Sequence, residues 1–288
     1  MGDLSAQTRR LFDNPAANVP LIEVNSAASA QNETDRLCRQ LGEGSRWDEQ
    51  LEAVTRGTSL IRGGVLNFQS FKKGLLSVTP GLLAAITSPR SQLAKASCLF
   101  VTAIVQNAGS QLDEFGNFIK FLSPKLNHGT QIIADSAKFT ILAIAQYCTS
   151  KRTLTNILDM CSSRSAEVKE TATLSLQIIA ENWSPKMLLS SKISIDTALE
   201  KLATDASADI RYNARIAIGA FKELSSPKEK LATVVQEKPK ENNQKQPVPV
   251  KTDLTANPPR VIITKKRAPS VKTQRPSLQK QEEPQQKY

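Results

Sequence analysis

Four stretches of this chain line up at an interval near forty residues: SPRSQLAKAS (88–97), HGTQIIADSA (128–137), SRSAEVKETA (163–172) and ASADIRYNAR (206–215). Each runs from a polar loop to an aliphatic residue and then to a small residue four places on. The aliphatic positions are Leu93, Ile132, Val168 and Ile210, and the small ones Ser97, Ser136, Ala172 and Ala214. The aliphatic anchors are 39, 36 and 42 residues apart. Positions i and i+4 share one helix face, so the anchor packs inward while the small residue lets a neighbouring helix approach. A period near forty built from helix pairs is the pattern of HEAT or armadillo repeats. One pair cannot bury its own apolar face, so the pairs must stack. The expected fold is therefore all-α, a HEAT-like α-solenoid of about six helix pairs.

The flanks read differently. Residues 1–34 are rich in Asn, Ala, Ser and Pro without sustained periodicity, and are expected to be disordered. The repeat domain is placed at 35–226. Its first helix carries Leu51, Val54, Leu60 and Ile61 and ends at Gly63 and Gly64, glycine being suited to the left-handed cap. Residues 227–288 are Lys, Gln, Pro and Glu with few large apolar side chains, and are expected to be a disordered tail.

Charge follows the same division. Residues 226–288 hold 14 Lys/Arg against 6 Asp/Glu, a balance of +8 out of the chain's +11. Residues 35–225 hold 22 against 17, and residues 1–34 hold 2 against 4. A tail of this kind suits an acidic partner surface. Lys265, Lys266, Arg267, Lys272 and Arg275 are its densest cations, spaced by Pro and Ser that keep such a segment extended. Ser270 and Ser277 lie among them, where phosphorylation would weaken electrostatic attachment. An unspecific, solvated tail is the alternative.

Stacking puts every intra-pair loop on one edge of the solenoid. Trp47, Arg90, the His128–Gln131 loop, Arg164 and Arg211 then form a line, with Lys95, Lys169 and Arg215 one helical turn further on. An aromatic followed by a row of cations is the composition of a protein interface. The alternative for Trp47 is an end-cap residue packed on the first repeat. Arg215 could instead pair with Asp209 in an internal ladder, and Lys95 and Lys169 could be solvated surface. Trp183, before a Ser-Pro turn, reads as structural.

No catalytic, metal or cofactor pattern stands against this. His128, the single histidine, has no triad partner at a recognisable spacing. There is no Gly-rich phosphate loop or nucleophile elbow. Cys38, Cys98, Cys148 and Cys161 are far apart and read as buried thiols of a reducing compartment. No apolar stretch reaches the roughly 18 residues needed to span a bilayer. A non-enzymatic binding protein of the cytoplasm, with no cofactor, no small-molecule substrate and no membrane insertion, is expected.

The tryptophan at the first helix entrance (SRWDEQ), SPRSQLAKAS, SRSAEVKETA and DASADIRYNARIAI together resemble the TOG domains of the CLASP family. They are similar also to those of ciliary TOG-array proteins. The resemblance covers residues 35–225. It implies a HEAT-repeat microtubule regulator that binds α/β-tubulin through the loop edge. Trp47 would pack on tubulin from the first loop, with Arg90 in the second, Arg164 and Lys169 in the fourth, and Arg211 with Arg215 in the fifth. The tail would bind the acidic microtubule lattice at the spindle or cilium, alongside other cytoskeletal proteins, with nucleic acid not expected. Two positions depart from the family: Gln50 stands where W-E-x-R would place arginine, and Gln131 where a lysine is common. The alternative is a HEAT adaptor for another protein, its tail engaging nucleic acid or membrane.

Overall fold

The structure, a computed structural model, describes residues 4–225. It is built from helices: α1 (Leu4–Asp13), α2 (Ala27–Gln40), α3 (Trp47–Arg62), α4 (Gln69–Thr87), α5 (Ser91–Ala108), α6 (Phe118–Leu122), α7 (Gln131–Tyr147), α8 (Lys151–Cys161), α9 (Ala166–Asn182), α10 (Pro185–Leu189), α11 (Lys192–Ala203) and α12 (Ala208–Ser225). Local signals start several of them. Ser26, Ser150 and Ser165 each accept a hydrogen bond through Oγ from the backbone N–H three residues on, at 3.1, 3.1 and 3.3 Å. At the end of α3, Gly64 adopts φ 79°, as the sequence anticipates for a left-handed cap. The preceding Gly63 passes so close to Ile22 that an added Cβ would meet its carbonyl oxygen at 1.9 Å.

The helices form two layers. The first helices of successive pairs, α2, α4, α6, α8 and α11, pack in one row, and the second helices, α3, α5, α7, α9 and α12, in the other. These rows make five stacked pairs among the twelve described helices, with α1 and the short α10 beside them. The first helix of the third pair is short: α6 sits between 3-10 turns at Asp113–Asn117 and Ser123–Asn127.

A single apolar core runs from Phe12 to Phe221. Three of the four anchors, Leu93, Val168 and Ile210, are buried, and so are all four small residues. The exception is the third repeat. Ile132 is half-buried, and its neighbour Ile133 fills the core position at 2% exposure. The reason is register: Leu93, Val168 and Ile210 are each the third residue of their helix, and in α7 the third residue is Ile133.

The period also appears in the hydrogen bonds. Asn156 Nδ2 donates to the Gly116 carbonyl at 2.8 Å, and Gln177 Nε2 to that of Asn213 at 2.8 Å. Trp183, 3% exposed, donates through Nε1 to the Ala145 carbonyl at 2.8 Å, which confirms its structural role. Each bond joins one repeat to the next and satisfies a polar group that stacking removes from water. Cys98, Cys148 and Cys161 are buried, as expected, whereas Cys38 is only half-buried.

The N-terminal segment departs from expectation. Residues 1–34, expected to be disordered, include α1 and the first half of α2 among the described residues. Helix α1 lies on the second-helix layer, against α5 and α7. Phe12 is buried with its ring centroid 5.7 Å from that of Phe139, and Gln106 Nε2 donates to the Phe12 carbonyl at 3.1 Å. The connection to α2 is held too, since Ile22 N–H donates to the Ser59 carbonyl at 3.3 Å and Val24 is buried. A ten-residue helix is too short to stand alone or to show a convincing period, and its stability comes from the surface it lands on.

Candidate functional site

The second helix of every pair begins on the same edge, so the five intra-pair loops lie side by side. Trp47 is the first residue of α3 and keeps 40% of its surface exposed. It stays at the edge because the entrance is organised by polar neighbours. Arg46 holds both oxygens of Asp48, at 3.1 and 2.7 Å, and its backbone N–H donates to Glu49 at 3.3 Å. Carboxylates in a first turn also favour the positive end of the helix dipole. Arg90 caps α5 in the next loop and lays its guanidinium over the Trp47 ring, 4.7 Å from the centroid. The first two residues of the expected line are thus in direct contact.

Further along, each loop is latched to the next. Lys125 Nζ donates to the Thr87 carbonyl at 2.9 Å, tying the third loop to the second. Ser165 Oγ donates to Asn127 Oδ1 at 2.8 Å, tying the fourth to the third. Lys169 pairs with Asp205, tying the fifth to the fourth, with side-chain exposures of only 18% and 12%. That lysine holds the Asp205 carboxyl below its ordinary value, helped by the Ser207 N–H. Lys125, Asn127 and Asp205 were not among the expected residues. Their signal in the sequence is faint: polar residues separated from a partner by 36 to 38 positions, close to the repeat period.

These links sort the expected contact residues. Arg164 and Arg215 are exposed, and Lys95 is half-buried without an ion pair among the described residues. Lys169 and Arg211 differ from the expectation of free cations. Lys169 is spent on Asp205, and Arg211 NH1 donates to the carbonyls of Asp205 and Ala206, at 2.8 and 2.7 Å. Both brace the fifth loop. The ladder between Arg215 and Asp209 is not formed. In the third loop, His128 Nδ1 accepts from Thr130 N–H at 3.0 Å and Gln131 Nε2 donates to Asp135 at 2.7 Å. Lys265, Lys266, Arg267, Lys272 and Arg275 lie outside the described residues. What the edge presents is one aromatic face stacked with a cation, then spaced arginines on a backbone of mutually latched loops. No helix among the described residues is long and apolar enough to cross a membrane.

Residues 43–242 match the family model described as CLASP N terminal. Over 232 residues the chain is 24% identical to an uncharacterized protein of Dictyostelium discoideum, across 78% of this chain and 27% of that protein. Over 200 residues it is 19% identical to CLIP-associating protein 1-B of Xenopus laevis, across 69% of this chain and 14% of that protein. A designed armadillo repeat protein solved with a (KR)4 peptide aligns over 76% of this chain and 100% of its own, at 16% identity and a TM-score of 0.42. The chain thus spans 27% and 14% of the two curated relatives' lengths. With the family model covering 200 of its 288 residues, the chain belongs to the CLASP N terminal family.

Proposed function

We propose that the protein is a non-enzymatic, microtubule-associated regulator that binds α/β-tubulin through the loop edge. The observation that carries this reading is the exposed Trp47 ring with Arg90 stacked on it, at the start of a row of loops in a CLASP-family chain. Trp and Arg are the residues that most often dominate interface energetics, and pre-stacking them lowers the entropy lost on contact. Arg90, Lys95, Arg164 and Arg215 supply the positive face that an acidic partner such as tubulin requires. Lys169 and Arg211 act indirectly, by holding the fifth loop in place. The basic tail, through Lys265, Lys266, Arg267, Lys272 and Arg275, adds affinity for the microtubule lattice. A weak edge contact and a weak tail contact on one chain combine through effective concentration. The consequence is control of microtubule stability or growth in the cytoskeleton, at the spindle or in the cilium.

The alternative is a HEAT adaptor whose edge or concave face binds another protein or peptide; α1, packed on α5 and α7, removes part of the second-helix layer from such a contact. Pelleting with microtubules and size exclusion with free tubulin, both on the full chain, test the proposal. The full chain should pellet or co-elute, and raised salt should weaken lattice attachment more than the Trp47 contact. A full chain that does neither is not a tubulin-binding protein.

A further inference from the structure

Ser-Pro occurs at 88, 123, 184 and 226 in this chain, each time followed by Arg or Lys. The first of these is the loop that carries Arg90. Proline disfavours the helical conformation in the residue before it, and Ser88 is extended, with φ −55° and ψ 141°. Arg90 is extended too, at φ −81° and ψ 110°, so α4 stops and α5 starts on either side of an open tripeptide. Thr87, Pro89 and Arg90 are exposed and Ser88 is half-buried. Ser123, by contrast, is helical, with φ −57° and ψ −39°. Ser184 lies between α9 and α10, away from the intra-pair loops, and Ser226 lies outside the described residues.

The surroundings of Ser88 are cationic. Its Oγ accepts the Arg90 backbone N–H at 3.2 Å, which turns the hydroxyl toward the entrance of α5. Lys125 Nζ rests on the carbonyl of the preceding residue, Thr87, at 2.9 Å. Arg90 itself lies over Trp47, 4.7 Å from the ring centre. An arginine of this chain already grips an anion two residues away, since Arg46 holds both oxygens of Asp48 at 3.1 and 2.7 Å. Ser88 stands at the same two-residue separation from Arg90.

We propose that Ser88 is a phosphorylation site for a proline-directed kinase, and that its phosphate draws the Arg90 guanidinium off the Trp47 ring. In the transfer, Ser88 Oγ bonds to the γ-phosphorus of ATP as the bond to the bridging oxygen breaks. ADP leaves, and the hydroxyl proton passes to the kinase's catalytic carboxylate. A phosphate offers the guanidinium a bidentate, charge-assisted contact, which outcompetes an exposed aromatic face. Lys125 supplies a second cation to the same group. The phosphate carries a charge of about −2, so the second loop changes from positive to negative where Arg90 had made it attractive to an acidic partner. That consequence for binding rests on the loop edge being the tubulin contact; the modification and the movement of Arg90 do not.

The test uses the full chain, treated with an active mitogen-activated, proline-directed kinase and Mg·ATP, beside Ser88→Ala treated alike. Tandem mass spectrometry should place a phosphate on Ser88 of the parent. Acrylamide quenching of the phosphorylated parent should rise to the level of Arg90→Ala, whereas treated Ser88→Ala, modified only at other sites, should quench like the untreated chain. Trp47→Phe, phosphorylated in the same way, should stay resistant, because Trp183 is buried and reports any general loosening. Absence of phosphate from Ser88, quenching unchanged by it, an equal rise in Ser88→Ala, or a rise in Trp47→Phe would overturn the proposal. Tubulin enters none of these measurements, so their failure is separate from failure of the tubulin-binding reading.

Discussion

The guanidinium of Arg90 lies 4.7 Å from the centre of the Trp47 ring, joining the first two loops of the edge through residues 43 positions apart. Trp183, the other tryptophan, is 3% exposed, so acrylamide quenching reports chiefly on Trp47. In Arg90→Ala, quenching should rise, while Trp47→Phe, with Trp183 alone, should stay resistant. An exposed cation–π contact is worth about 0.5–1 kcal/mol, so Tm should fall by no more than about 2–4 °C.

The register of the third repeat separates two neighbouring isoleucines. Ile133→Ala should cost about 2–5 kcal/mol in urea denaturation, as for a fully buried aliphatic residue. Ile132→Ala, at a half-buried position, should cost about 1 kcal/mol or less.

Docking of α1 is tested at Phe12. Its burial against Phe139 means that Phe12→Ala should destabilise the chain by about 3 kcal/mol or more. Faster amide hydrogen exchange in α1, with α9 and α12 unaffected, would accompany the loss.

How legible all this was follows from what a period can carry. Spacing identified the helix pairs, the loops and the buried faces, because those depend on residues three or four apart. Trp183 could be placed because a Ser-Pro turn ends its helix. Helix α1 was missed because its stability comes from α5 and α7, far away in sequence. The repeat alignment points to Ile132, while Ile133 fills the core, because both are aliphatic and only the helix start decides between them. Lys169 reads as a free cation because Asp205 is brought to it by folding from the next repeat, and Arg211 because the groups that engage it are backbone carbonyls of its own loop, which residue type does not reveal. A sequence shows which side chains sit at an edge, but not which of them the folded chain has already engaged.

The ion pair between α2 and α3 gives a pH test. Arg56 reaches both oxygens of Glu33 at 2.7 and 2.6 Å, with side-chain exposures of 24% and 18%. Those hydrogen bonds hold the Glu33 carboxyl below its ordinary 4.5, against the opposing effect of burial. A depressed folded-state pKa contributes stability that is present above the unfolded value and lost as pH falls through the folded one. Glu33→Gln should therefore cost about 1–2 kcal/mol at neutral pH. The gap between variant and parent should close as pH falls below 4.5 toward the folded-state value, which Tm measured across that range will show.

The central claim, that the edge beginning at Trp47 is the tubulin contact, is tested most directly by the dissociation constant of the full chain for free α/β-tubulin, measured beside that of Trp47→Ala. A hot-spot aromatic is worth about 2 kcal/mol or more, so affinity should fall at least about thirtyfold while Tm stays within a few degrees of the parent. An affinity unchanged within a factor of about two would contradict the account and leave Trp47 as an end cap of the first repeat.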